Sequence, residues 1–188
     1  TSDERATSSE LYDERYVRKG RGHETVGWGS ERDQRLRFSV LFRGVDPKER
    51  SILDVGCGLG DLVSFLDERT GGDYAYLGVD LSKKLVEDAR RTFGGQKRKF
   101  RAADILETEL PAADVCVLSG ALNFRIGDNV AHAKSMLRRM WELSRECACI
   151  NLLSSHVDYE TRKNFHYDPR EMFAYAQTLT RWVSLHHD

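Results

Sequence analysis

The chain has 188 residues, enough for one domain with a full hydrophobic core and too few for two of ordinary size. Its 29 Lys and Arg against 30 Asp and Glu leave no global field to attract nucleic acid or an anionic membrane. No apolar run approaches the roughly 20 residues a membrane-spanning helix needs, and residues 1–24 are polar and charged with no leader pattern, so a cytoplasmic protein is expected.

Residues 1–30 are polar and Gly-containing; they predict no regular element, and mobility over the first ten or so. Ser30 is placed to cap a helix running to Arg43, with Leu36, Val40 and Leu41 at helical spacing and Asp46-Pro47 as its breaker. Ser51–Val55 is a short apolar strand that enters Gly56-Cys57-Gly58-Leu59-Gly60. A helix follows from Asp61 to about Arg69, closed by Thr70-Gly71-Gly72. Tyr74–Val79 reads as the second strand, and Ser82 caps a helix to about Phe93. Phe100–Ala102 and Asp114–Leu118 are the third and fourth strands. Asn129 to about Ser144 forms a long amphipathic helix before the fifth strand, Cys147–Leu153. A polar loop, Ser154–Asp168, then leads to Pro169 at the first turn of a helix reaching about Leu179. Arg181–His187 alternates weakly and predicts a sixth strand.

Strand–helix alternation implies right-handed crossovers, hence an α/β fold with a doubly wound, mostly parallel sheet and helices on both faces. No repeat or linker divides the chain, so residues 1–188 read as a single domain, with a core over 51–188. Cys147 and Cys149 point the same way along one strand, which disfavours an unstrained bridge, and no Cys/His spacing matches a zinc site. Reduced thiols and no bound metal are expected.

The strongest chemical signal is the run Ile52-Leu53-Asp54-Val55-Gly56-Cys57-Gly58-Leu59-Gly60-Asp61-Leu62. Glycines between a buried strand and a helix let backbone turn sharply and approach a ligand. Asp80 follows at the end of the next strand, where a carboxylate can accept both hydroxyls of a ribose. A dinucleotide fingerprint would place its third glycine at position 61, which is Asp61. A carboxylate there would repel a pyrophosphate at the helix N-terminus but would not harm a sulfonium cofactor. No Gly-Lys-Ser/Thr follows, so a P-loop is excluded as well.

The segment D-V-G-C-G-L-G-D-L, with G-V-D-L-S at residues 78–82, resembles the class I S-adenosylmethionine-dependent methyltransferases, and the pattern extends from about Ser51 to His187. The resemblance implies a Rossmann-like fold and S-adenosylmethionine as cofactor, with S-adenosylhomocysteine as product. It implies that Gly56, Cys57, Gly58 and Gly60 hold the methionine portion. Asp80 would take the ribose hydroxyls, with Leu81 near the adenine. Asp104 would meet the adenine amine, with Ile105 beside the ring, and Ser119 and Gly120 would lie near the methionine amine and reactive methyl. The family sheet ends with a further strand between the fifth and sixth, which these residues lack, so the C-terminus is expected to be incomplete.

Ser119-Gly120-Ala121-Leu122-Asn123-Phe124 departs from the proline-rich fourth-strand motif of base-amine methyltransferases, which leaves other acceptors open. Gly27-Trp28-Gly29-Ser30 with Gln34, Arg37 and Phe38 is similar to segments of bacterial members of the family, and residues 1–45 are expected to form a lid. Arg37 could pair with the cofactor carboxylate or be a solvated helix arginine. His156, Tyr159 and His166, after strand five, are candidates to deprotonate an acceptor, though such residues are ordinary in surface loops. The basic runs Arg18–Arg21 and Lys97–Arg101 could touch phosphate, but solvated charge is the simpler reading. The expected activity is methyl transfer to a small molecule, on oxygen or nitrogen. The alternatives are an RNA or protein methyltransferase, or a degenerate relative that only binds.

Overall fold

In the chain's computed structural model, residues 2–158 and 162–187 are described, the side chains of residues 2–9 excepted. Five short strands whose residues alternate between two buried faces build the centre: β1 Ser51–Val55, β2 Ala75–Asp80, β3 Arg98–Ala102, β4 Ala113–Ser119 and β5 Ser144–Asn151. All pair in parallel, in the order β3-β2-β1-β4-β5. In β1, Ile52 faces one core while Leu53 and Val55 face the other; in β4, Val115 and Val117 oppose Cys116 and Leu118. Burial on both faces is why these strands read as apolar runs in the sequence.

The helices are α1 Ser2–Lys19, α2 Glu31–Leu41, α3 Leu62–Thr70, α4 Lys83–Phe93, α5 Asn129–Leu143 and α6 Pro169–Leu179. Phe38 and Phe42 with Leu62, Val63 and Leu66 cover one face of the sheet. Met136 and Met140 of α5 and Met172 of α6 cover the other. Ser30 caps α2 by accepting from the Asp33 amide, Ser82 caps α4 from the Leu85 amide, and Gly71 ends α3 in the left-handed region at φ 68°. The order of strand addition reverses between β1 and β4, and a crevice opens beyond their carboxyl ends, where open α/β sheets hold ligands.

Two expectations need correction. The polar N-terminal stretch is helical over Ser2–Lys19. It docks on α4 through polar groups: the Tyr16 hydroxyl donates to Asp88 at 2.6 Å, and Ser82 bonds Asp13. Arg181–His187 belongs to no strand, and among the described residues the sheet ends at β5. Its Trp182 is 78% exposed. No helix among the described residues is long and apolar enough to cross a membrane.

Candidate functional site

A cleft of about 1040 Å³, open to solvent, lies over the carboxyl ends of β1, β2 and β4. The β1–α3 turn forms its floor. Gly56 sits at φ 72°, and a Cβ there would stand 2.5 Å from the Ala121 Cβ, so only glycine lets this turn pass beneath the β4 loop. Cys57 and Gly58 continue the floor, whereas Gly60 turns away against Phe93 and Phe100 and does not line the cleft.

Asp80, at the end of β2, is fixed by its own surroundings. Its Oδ2 accepts the Gly58 amide at 2.9 Å and its Oδ1 the Ser82 amide at 2.9 Å. Burial raises its pKa, and these backbone donors pull the other way. The Leu81 amide is a third backbone donor to the same carboxylate. Leu81, Asp104, Ile105, Ser119 and Gly120 line the same cleft, so strand ends far apart in sequence converge there.

The remaining sequence candidates lie elsewhere. Arg37 is not part of the lining; its guanidinium stacks 6.0 Å over the Trp28 ring, and Trp28 does line the cleft. Among the described residues, the loop carrying His156 and His166 does not contribute to the lining either. It is drawn to the outer side of the β4 loop by backbone bonds, Phe165 N–H to Asn123 O at 2.8 Å and Arg125 N–H to Lys163 O at 3.0 Å. The Tyr167 hydroxyl donates to Leu122 O at 2.8 Å in the same contact. His166 Nδ1 is held 2.8 Å from Ser154 O, and His156 packs edge-on to His187. Tyr159 lies outside the described residues.

The N-terminal residues supply much of the lining that sequence reasoning missed. Tyr12 of α1 lies over the cleft, edge-on to Phe124 with centroids 5.5 Å apart. Trp28 seals the β4 end: a Cβ on Gly120, which sits at φ 78°, would come within 2.9 Å of its ring. Val26, Gln34 and Phe38 line the same side, and His132 and Met136, one helical turn apart on α5, line the other. The pair Tyr12 and Tyr16 at helical spacing was the available signal for α1.

The electrostatics are one-sided. Asp54, Asp61, Asp80 and Asp104 line the cleft, and no Lys or Arg does among the described residues. Burial pushes the Asp54 carboxyl up to about 7, with the Tyr76 hydroxyl donating to it at 2.6 Å and opposing the rise. Asp61 is partly compensated by Arg21 at 2.9 Å and by the Gln34 amide at 3.1 Å. Arg21, from the first basic run, also pairs with Asp88 and donates to Leu59 O at 3.0 Å. It therefore joins the N-terminal segment to the glycine turn. A carboxylate-lined cleft without a basic side chain is hostile to pyrophosphate and receptive to a cationic nucleoside.

Fold and site thus define a Rossmann-like α/β protein with a nucleoside site at the switch point of its sheet. The family described as methyltransferase domain matches residues 52–146. Rv1506c of Mycobacterium tuberculosis, named as a methyltransferase, is 32% identical over 146 residues, 73% of this chain and 86% of that protein. Magnesium protoporphyrin IX methyltransferase of Synechocystis PCC 6803, solved with bound S-adenosylhomocysteine, superposes with a TM-score of 0.67 at 14% identity, covering 93% of this chain and 86% of the other. A TehB-like S-adenosylmethionine-dependent methyltransferase of Corynebacterium glutamicum gives 0.58 at 19% identity, covering 93% and 83%. At those identities the structural likeness is one of fold. The chain belongs to the methyltransferase-domain family and is a class I S-adenosylmethionine-dependent methyltransferase.

Proposed function

We propose that the cleft holds S-adenosylmethionine and that the protein methylates a small-molecule acceptor on oxygen or nitrogen. The observation that carries this reading is the lining by Asp54, Asp61, Asp80 and Asp104 with no basic side chain, which suits a cofactor that is cationic and lacks phosphate. The cofactor, when bound, supplies a methyl group already activated on sulfonium sulfur. The protein's task is alignment and exclusion of water. Asp80, at the end of β2 in the cleft, accepts the ribose hydroxyls. Asp104 meets the adenine amine, and Leu81 and Ile105 flank the ring. The turn at Gly56, Cys57 and Gly58 carries the methionine portion, with Ser119 and Gly120 beside the methyl.

Residues 1–45 act as a lid, a role supported by Tyr12, Val26, Trp28, Gln34 and Phe38 reaching the cleft from that segment. A covered cleft of this kind favours a small acceptor over a polymer. Calorimetric titration with S-adenosylhomocysteine tests the cofactor site, and a metabolite screen with methyl-labelled cofactor tests the acceptor class. Folded protein that shows no heat of binding overturns the first. Label appearing only on added RNA or protein overturns the second.

A further inference from the structure

Half-buried arginines need a counter-charge, and this chain supplies one nearly everywhere. Arg35 pairs with Glu68, Arg50 with Glu146, Arg98 with Asp67 and Arg139 with Glu142. Arg15 and Arg37 are half-buried too, yet among the described residues neither guanidinium has a carboxylate partner. Each approaches the Gly27-Trp28 turn. Arg15 stacks 5.6 Å over Tyr12 and 5.0 Å over Phe124, and its Nη1 comes within 3.6 Å of where a side chain on Gly27 would stand. Arg37 stacks over Trp28, the next residue. The Asn151 amide donates to the Arg37 carbonyl at 3.4 Å, and the Ser119 hydroxyl donates to Asn151 Oδ1 at 3.3 Å, which ties Arg37 to the end of β4. Stacking occupies the face of a guanidinium and leaves the in-plane N–H donors of its fork available.

We infer that Arg15 and Arg37 form an anion-recognition site at the β4 mouth of the cleft, so that the methyl acceptor carries a carboxylate or phosphate group. The inference rests on the cofactor assignment above, which puts the reactive methyl beside Ser119 and Gly120. Trp28, Tyr12 and Phe124 give the site apolar walls, and the two forks give it a bidentate charge reader. The acidic cleft repels the same anion, so the acceptor's charged group is held at the mouth while its nucleophile reaches toward the methyl.

The test uses protein loaded with S-adenosylhomocysteine and four probes: benzoate, phenyl phosphate, and the neutral analogues benzamide and phenol. Calorimetry or ligand-observed NMR should show binding of at least one anion and weaker binding of its neutral analogue. Arg15→Gln and Arg37→Gln should each weaken anion binding by roughly tenfold or more, with Arg37→Lys recovering part of the loss. S-adenosylhomocysteine affinity should stay within about twofold in every variant, since neither arginine faces the cofactor. Whether carboxylate or phosphate binds more tightly separates the two anion classes. Equal binding of the neutral probes, no anion binding to the loaded parent protein, or anion binding indifferent to both substitutions would each overturn the inference. A parallel loss of S-adenosylhomocysteine affinity would assign the arginines to the cofactor's own carboxylate and overturn it too. Failure of the parent protein to bind S-adenosylhomocysteine is a different result, and it removes the cofactor assignment itself.

Discussion

Replacement of Asp80 is the most direct probe of the cofactor site, and the structure determines which replacement to use. Alanine would strip the Gly58 and Ser82 amides of their acceptors, and both residues are buried. Orphaned buried donors cost about 1–3 kcal/mol each, so Asp80→Ala confounds binding with stability. Asp80→Asn retains one acceptor oxygen and similar volume. It removes the charge and turns an amide nitrogen toward a donor, forfeiting at least one charge-assisted bond of about 1.5–3 kcal/mol. Affinity for S-adenosylhomocysteine should therefore fall roughly ten- to a hundredfold. An analogue lacking the ribose 2′-hydroxyl should bind the parent protein more weakly but lose little further in the variant, because the same interaction is deleted from either side. Titration calorimetry beside thermal melts reads both effects. An Asp80→Asn protein that melts like its parent and binds cofactor undiminished refutes the ribose assignment.

Three other outcomes are expected. Gly56→Ala should lower the melting temperature, because strain at φ 72° and contact with Ala121 outweigh the up to ~1 kcal/mol by which Gly→Ala ordinarily stabilises, and an unchanged melt would show that the turn relaxes. Asp88→Asn should loosen α1, since the buried Asp88 carboxylate gathers Tyr16, Arg21 and Arg91; faster proteolysis near residues 20–29 and faster cofactor release would show it, and parental rates would count against the lid. Asp54 has its folded pKa raised to about 7, so without cofactor the folded state keeps a proton the unfolded chain gives up. Its contribution to stability is fully present below the unfolded value of 3.8 and is lost as pH rises toward about 7. Binding a cation favours the ionised form, so S-adenosylmethionine affinity should rise between about pH 6 and pH 8 with proton release, and calorimetry in buffers of different ionisation enthalpy should detect that release. Asp54→Asn should abolish this pH dependence.

The central strands were legible because burial on both faces leaves apolar runs, and glycines mark the turn where β1 gives way to α3. The start of β3 was hidden by Arg98 and Lys99, which read as a basic run, although charges are a common guard on the edge strand this segment forms. Helix α1 was missed for a related reason. Its attachment depends on Tyr16, Arg21 and the distant Asp88, a polar contact announced only by the spacing of Tyr12 and Tyr16. Arg181–His187 shows the opposite failure, since weak alternation suggested a strand in a segment that pairs with none of the sheet. Position at the correct sheet edge also did not settle what the loop after β5 does. Backbone bonds to Asn123 and Arg125 set its path, and such pairing leaves no trace in side-chain identity.

Net charge is where the one-dimensional argument has least reach. A balance of 29 basic against 30 acidic residues correctly denies the chain a global field, yet it averages over two sites of opposite sign. Carboxylates collect at strand ends inside the cleft, while Arg15 and Arg37, which have no carboxylate partner among the described residues, sit over aromatic rings. Trp28 touches both regions, near Gly120 and beneath the Arg37 guanidinium. In a low-dielectric cleft, charges a few ångströms away outweigh the remote total, because interaction strength falls with distance and solvent screens what lies farther off. Such segregation suits a reaction that brings a cationic methyl donor to an anionic acceptor. If the acceptor is anionic as inferred, each partner is drawn to groups of opposite charge and repelled by the other's, which favours alignment of nucleophile, methyl and sulfur before any covalent change begins.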